Sequence, residues 1–198
     1  MSQRLILASG SQIRRDILQQ AGLDFEVIAK PVDEAAIKES LLAEGAPLKD
    51  IADALAEAKA MRVSKTESGF VIGSDQIMEL GGQLCDKPPS LAAARERLIS
   101  MRGKPHKLIG ATVICENGAP VWRHMAVSKL IVREFSDEFL DRYIEMEGEA
   151  LTKSVGAYRF EGPGAQLFSS VEGNFFSILG LSLLPILDYL RIRGVIST

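Results

Sequence analysis

Cysteine and histidine are both scarce in this 198-residue chain, which has two of each. Cys85 and Cys115 lie far apart and form no CxxC pair, which excludes a disulfide framework and a zinc knuckle and fits a reducing cytosol. His106 and His124 are too isolated for a histidine-based metal site or a nucleophilic triad, and both read as structural or exposed. No excess of positive charge is present. The formal net charge of -3 argues against nucleic acid as a partner, because phosphate backbones select basic surfaces. It leaves room for a small phosphorylated ligand, which needs only a local basic cluster. Long hydrophobic runs are lacking too. The apolar stretch in MSQRLILASGSQ is much too short for a secretory core or a membrane span. The longest one, residues 175–187, is broken by Gly180 and Pro185 and reads as a buried strand, a turn and a helix. The expected compartment is the cytoplasm, with no membrane partner. Internal repeats, low-complexity linkers, a GxxxxGK[ST] loop and a GxGxxG fingerprint are all absent.

What is present suits a globular fold. Hydrophobic residues make up 46% and charged residues 25%, enough for one continuous core, and residues 1–198 read as a single domain. A strand over 5–8 is followed by a helix over 11–21 that Gly22 stops, then a strand over 25–29. Helices over 34–44 and 49–64 are separated by Gly45 and Pro47. An apolar strand over 70–73 delivers Ser74, Asp75 and Gln76 at or just past its end. Gly81-Gly82 joins short strands at 77–80 and 83–85 into a hairpin. Ser90 caps a helix to 101. Strands over 106–115 and 121–135 flank the turn Glu116-Asn117-Gly118, and Ser136 opens a helix to about 147. Strands alternating with helices give an α/β class, and the hairpins make its sheet mixed.

Four constellations could carry chemistry. Ser9-Gly10-Ser11-Gln12-Ile13-Arg14-Arg15 sits at a strand-to-helix junction. Free N–H groups there attract anions, and hydroxyls and guanidinium groups can complete a phosphate cradle; an ordinary N-cap followed by surface arginines fits the local pattern equally well. Gly73-Ser74-Asp75-Gln76 aims a carboxylate from a rigid strand, suited to holding a divalent cation or taking a proton from water, although a lone Asp is more commonly a turn former. Asp33, Glu34, Lys59 and Lys87 offer hard oxygens for Mg²⁺ or Mn²⁺ and point charges for phosphate; taken singly, each is a solvated surface charge. The glycine-dense stretch 155–168 implies backbone close to a ligand, or tight turns between short strands.

Taken together, LILASGSQIRRDIL, PVDE at 31–34, AEAKA at 56–60, GSDQ at 73–76, DKP at 86–88 and GAYRFEGPGAQLF with the later VEG and LGL resemble the Maf family of nucleotide pyrophosphatases, in the family's order and over nearly the whole chain. The resemblance implies a Maf/Ham1 (ITPase-like) α/β fold and release of pyrophosphate from a nucleoside triphosphate. It also implies dependence on a divalent cation (Mg²⁺ or Mn²⁺) and a housecleaning or division-linked role. Asp75 matches the family's catalytic base. Ser9, Arg14 and Lys87 match phosphate-handling positions, Glu34 and Lys59 the acidic and basic positions of the same pocket. Ser11 and Arg15 belong to the opening motif. Glu34 and Asp75 are the implied metal ligands. Two departures stand where many members have proline: Gln12, in the first helical turn, should cost only local rigidity, and Ser182 lies away from the expected chemistry.

The resemblance also bears on substrate. Members acting on dTTP and UTP carry threonine after the aspartate and glutamine before the glycine of the later motif. This chain has Gln76 and Glu161, as in the 7-methyl-GTP branch. A glutamate can accept from two adjacent N–H groups on a guanine edge, and 7-methylation adds positive charge that a carboxylate favours. Two alternatives stand beside this reading: a dTTP/UTP-type enzyme, and a non-catalytic nucleotide-binding regulator of septum formation. Homodimers are common among soluble enzymes, so a second copy of the chain remains open as a partner.

Overall fold

A computed structural model describes residues 4–197 of the chain. Seven strands form one mixed sheet: β1 (Leu5–Leu7), β2 (Glu26–Val27), β3 (Phe70–Leu80), β4 (Gln83–Cys85), β5 (Pro105–Glu116), β6 (Ala119–Val132) and β7 (Phe168–Glu172). Their order is β2-β1-β3-β5-β6-β7, with β4 paired to β3 off this path. β1 runs parallel to β2 and β3, whereas the β3–β4 and β6–β7 pairs are antiparallel. The helices are α1 (Gln12–Gln20), α2 (Glu34–Ala43), α3 (Leu48–Ser64), α4 (Leu91–Met101), α5 (Asp137–Glu147), α6 (Phe175–Leu179) and α7 (Leu183–Ile192). The α/β class and mixed sheet are those the sequence leads one to expect.

Local chemistry explains most boundaries. The hydroxyls of Ser90 and Ser136 accept from the backbone N–H groups of Ala93 and Phe139 and so cap α4 and α5. Past α1, Gly22 takes the positive φ of 74° that ends the helix. Leu80 pairs with Gln83 across Gly81-Gly82, giving the two-residue hairpin that this dipeptide signals.

Three expectations are corrected. The strand expected to stop at Gly73 continues to Leu80, so Asp75 lies in mid-strand rather than at a tip. The polar triplet reads as punctuation, yet each of its side chains has a partner inside the fold, so the extended backbone continues through it. The stretch after Asn174 is helical, not a strand. Its five residues bury Ser177 and Ile178 and expose Phe175, a one-turn amphipathic pattern too short to show a period. The glycine-dense stretch forms a 3-10 turn at Pro163–Leu167 ahead of β7, not a series of short strands.

The described residues cluster into two compact units. Of the described residues, the first holds 4–76, Gly110–Ala126 and 175–197. Its core includes Leu5, Leu7, Leu18, Phe70, Ile72 and Ile186. On α3 the small residues Ala52, Ala56 and Ala60 are fully buried. At the edge of this core Arg193 lies 4.6 Å above the Phe70 ring and pairs with Glu116 at 2.8 Å.

The second unit comprises Ile77–Ile109 and Val127–Asn174. Leu98 and Met101 of α4 and Leu140 and Tyr143 of α5 are buried in it. So is His106, whose Nε2 lies 2.7 Å from the Tyr158 hydroxyl, while Nδ1 has no partner. His106 is thus buried and structural, one of the two readings its sequence position left open. Burial lowers its pKa from 6.5 to about 4. Between those values the unfolded chain binds a proton that the folded chain excludes, so stability present above pH 6.5 is lost as the pH falls toward 4. His106→Gln will therefore flatten this acid limb, measured as Tm against pH. An unchanged slope would exclude His106 as its source.

Candidate active site

Glycine in a buried strand marks a close approach of another backbone, and Gly73 marks the approach of α3. A Cβ at Gly73 would stand 2.3 Å from the Ala56 carbonyl oxygen and 2.7 Å from the Ala60 nitrogen. The helix therefore lies directly on β3, one turn of it spanning residues 56–60. Lys59 on that turn reaches Asp75, two residues past the contact: its Nζ donates to Asp75 Oδ1 at 2.5 Å and pairs with Glu34 Oε1 at 2.9 Å. Glu34 opens α2, held there by its neighbour Asp33, whose carboxylate accepts from Ala36 N–H. A carboxylate–ammonium–carboxylate chain results. The Lys59 and Asp75 side chains are mostly buried, at 15% and 11% exposure, whereas Glu34 is open at 45%.

A second network lies on the same strand. Arg14 of α1 donates from Nε to the Gly180 carbonyl at 2.8 Å, and from Nη1 to the Ser74 carbonyl at 2.8 Å and to Ser9 Oγ at 3.2 Å. Burial holds its pKa below the ordinary guanidinium value, against the opposing pull of Asp75 and then Glu34. Two of its three nitrogens are committed to these acceptors, so Arg14 first ties α1, β3 and the loop after α6 together. Nη2 is the part left to meet a ligand. Ser9 Oγ also accepts from Ser11 N–H at 3.3 Å. Ser11 is the N-cap residue of α1 without a side-chain cap bond, and Arg15 follows on the helix with a buried Nε that has no partner.

Gln76 turns its amide away from a waiting role. Nε2 donates to the Ser177 carbonyl at 2.8 Å and the Ile178 carbonyl at 3.2 Å, which orients the side chain and leaves its oxygen as the free end of the group. Ser74, between Gly73 and Asp75, is buried and donates to the Ala111 and Gly180 carbonyls at 2.9 and 3.1 Å. Sequence reasoning gave Ser74 and Gly180 no role. The signal for Gly180 is its φ of 109°, a conformation that a glycine adopts readily.

The first unit thus assembles Ser9, Ser11, Arg14, Arg15, Glu34, Lys59, Asp75 and Gln76. Lys87 and Glu161 belong to the second unit, both exposed, on the loop after β4 and the turn before the 3-10 segment. Among the described residues no three His, Cys, Asp or Glu side chains converge as a metal-ligand set. The donor chemistry of Asp75 and Glu34 nevertheless fits a small hard cation. Mg²⁺ is commonly held by one or two carboxylates, with substrate phosphates and water completing its shell. Among the described residues no helix is long and apolar enough to cross a membrane.

A mixed sheet in which a mostly buried lysine of α3 joins Asp75 of the interior strand β3 to Glu34 of α2 defines an α/β protein with a preformed charged site. The chain belongs to the Maf-like protein family, whose model matches residues 4–192. It is similar, at 50% identity over the full length of both chains, to the nucleoside triphosphate pyrophosphatase of Hyphomonas neptunium. The protein of the same description from Caulobacter vibrioides is 52% identical over 96% of each chain. The 7-methyl-GTP pyrophosphatase of Rhizobium meliloti is 47% identical over 99% of each.

Proposed function

We propose that this protein hydrolyses 7-methyl-GTP, or a closely related modified purine nucleoside triphosphate, to the monophosphate and pyrophosphate. The broader class is nucleoside triphosphate pyrophosphatase, a hydrolase of acid anhydrides, the description carried by relatives about half identical over the whole chain. The observation that best supports the catalytic reading is the Lys59 ammonium bridging Asp75 and Glu34. The family match runs through both units, which supports treating the chain as one functional domain.

In this reading Asp75 orients a water and accepts its proton as the oxygen attacks phosphorus in line with the pyrophosphate leaving group. Lys59 fixes the carboxylate and, with Lys87 and the Nη2 end of Arg14, offsets charge on the phosphoryl oxygens, where most catalysis of such transfers arises. Ser9, Ser11 and Arg15 line the approach of the phosphates. Asp75 and Glu34 would hold a divalent cation, Mg²⁺ or Mn²⁺, which when bound neutralises phosphate charge. Gln76 and Glu161 read the base, Glu161 through the two adjacent N–H donors of a guanine edge. Gln76, pinned to the Ser177 and Ile178 carbonyls, presents an oxygen acceptor in a fixed orientation.

The test is pyrophosphate release with Mg²⁺ from 7-methyl-GTP, GTP, UTP, dTTP and CTP. The expected result is a kcat/KM for 7-methyl-GTP at least about tenfold above that for any pyrimidine, the factor that 1.4 kcal/mol of discrimination gives. Faster turnover of UTP or dTTP would discard the base reading and keep the enzyme class.

A further inference from the structure

The Glu161-bearing turn has a support that the proposed reaction does not use. Glu147, the last residue of α5, has a carboxylate only 3% exposed, and its Oε2 lies 2.8 Å from Arg159 Nε. The contact is a close ion pair without the alignment of a hydrogen bond. A carboxylate at the negative end of a helix dipole is electrostatically misplaced, and burying one without a partner is costly, so its presence there has to be met by Arg159. Arg159 is two residues before Glu161, and Gly162 is the residue after it.

The packing shows where the pair sits. A Cβ at Gly162 would stand 3.3 Å from Arg159 Nη2 and 3.6 Å from Glu147 Oε1. A Cβ at Gly164 would stand 2.3 Å from the Arg159 carbonyl oxygen and 2.8 Å from the Tyr143 hydroxyl. Gly162 N–H also donates to the Arg159 carbonyl at 3.3 Å, and Ala165 N–H to the Gly162 carbonyl at 3.0 Å. The chain from 159 to 165 therefore wraps the Glu147 carboxylate and the fully buried Tyr143, with glycines at the places where side chains would push it off. Glu161 is an exposed residue within this wrap.

The ion pair also decides a competition. Arg159 is half exposed, at 47%, long, in contact with the Glu147 carboxylate and two residues from Glu161. While Glu147 holds its guanidinium, the Glu161 carboxylate is left for a ligand. Released, Arg159 would pair with Glu161 and neutralise it.

We infer that Glu147 is a positioning residue for base selection: by holding Arg159 beneath the 159–165 turn it keeps the Glu161 carboxylate presented and unpaired. This rests on the reading of Glu161 given above. The experiment compares kcat/KM for 7-methyl-GTP with that for UTP in wild type, Glu161→Gln, Glu147→Gln and the double variant Glu147→Gln/Arg159→Gln, with Tm measured throughout. Glu161→Gln should lower the ratio at least about tenfold, equivalent to 1.4 kcal/mol. Glu147→Gln should lower it by a similar factor, through KM for 7-methyl-GTP with kcat for UTP retained. The double variant, lacking the competing cation, should recover most of the ratio. A support of bulk stability alone would instead lower Tm and both activities together and leave the ratio in place. If Glu161→Gln shifts the ratio and Glu147→Gln does not, or the double variant fails to recover it, the inference is overturned. If Glu161→Gln itself leaves the ratio unchanged, the base reading fails and the inference with it.

Discussion

Replacing Asp75 by asparagine will lower pyrophosphate release by about 10²–10⁴-fold, the contribution typical of a positioned general base, while leaving the fold intact. Asparagine matches aspartate in shape and keeps an oxygen that can accept from Lys59 Nζ, so the 2.5 Å contact loses its charge without losing its geometry. Lys59 retains Glu34 at 2.9 Å as an ionic partner. A mostly buried ammonium is therefore not abandoned, and the stability cost stays small. What the variant cannot do is take a proton at neutral pH. The measurement is kcat with saturating triphosphate, beside circular dichroism and Tm. Retention of most of the rate would remove Asp75 from the role of base.

Gly73→Ala should be strongly destabilising to the first unit. The added carbon would meet the Ala56 carbonyl oxygen at 2.3 Å, the Ala60 nitrogen at 2.7 Å and the Ala60 side chain at 2.8 Å. Two of these are backbone atoms in the interior of the 17-residue α3, so no rotamer change relieves the overlap and the helix itself must move. Overpacking of this kind costs about 1–3 kcal/mol or more. For a chain of this length that corresponds to a fall in Tm of roughly 2–12 °C. The same displacement carries Lys59 away from Asp75, so the variant, assayed well below its Tm, should also lose activity. Normal Tm and normal activity together would show that α3 does not seat on Gly73 as described.

Most of the fold was legible because its boundaries are written in single residues. Gly22, Gly81-Gly82, Asn117-Gly118, Ser90 and Ser136 each satisfy a backbone requirement that other residues meet poorly. Asn117 and Gly118, for instance, take φ of 52° and 76°, the positive values that a two-residue hairpin turn needs. The failures came where one signal served two purposes. Ser74-Asp75-Gln76 looked like the end of a strand because polar residues usually mean solvent. Their partners lie in parts of the chain more than 30 residues away (Ala111, Ser177, Ile178 and Gly180) or on a helix one crossover before (Lys59). No local pattern reveals them. The segment after Asn174 was misread because five residues cannot display a helical period.

The candidate site was legible only in part. Glu34, Lys59 and Asp75 were singled out by residue type and given a common pocket by resemblance, and the meeting of both carboxylates on the Lys59 ammonium came from three-dimensional packing. The close approach at Gly73 could have been anticipated from a glycine inside an apolar strand. The double use of the Gly180 carbonyl, and the Glu147–Arg159 pair beneath the Glu161 turn, could not. Both depend on contacts between segments whose spacing carries no period.

The mid-strand position of Asp75 has a bearing on how motion is apportioned. A residue paired into the interior of a sheet can be released only by breaking the ladder around it, so its local opening costs nearly as much as unfolding. Lys87 stands on exposed, irregular chain, the kind of segment that opens and recloses at little free-energy cost. The strand that carries Asp75 and the loop that carries Lys87 would then differ in tempo. If Asp75 is the proton acceptor proposed above, it is one held fixed by the sheet around it.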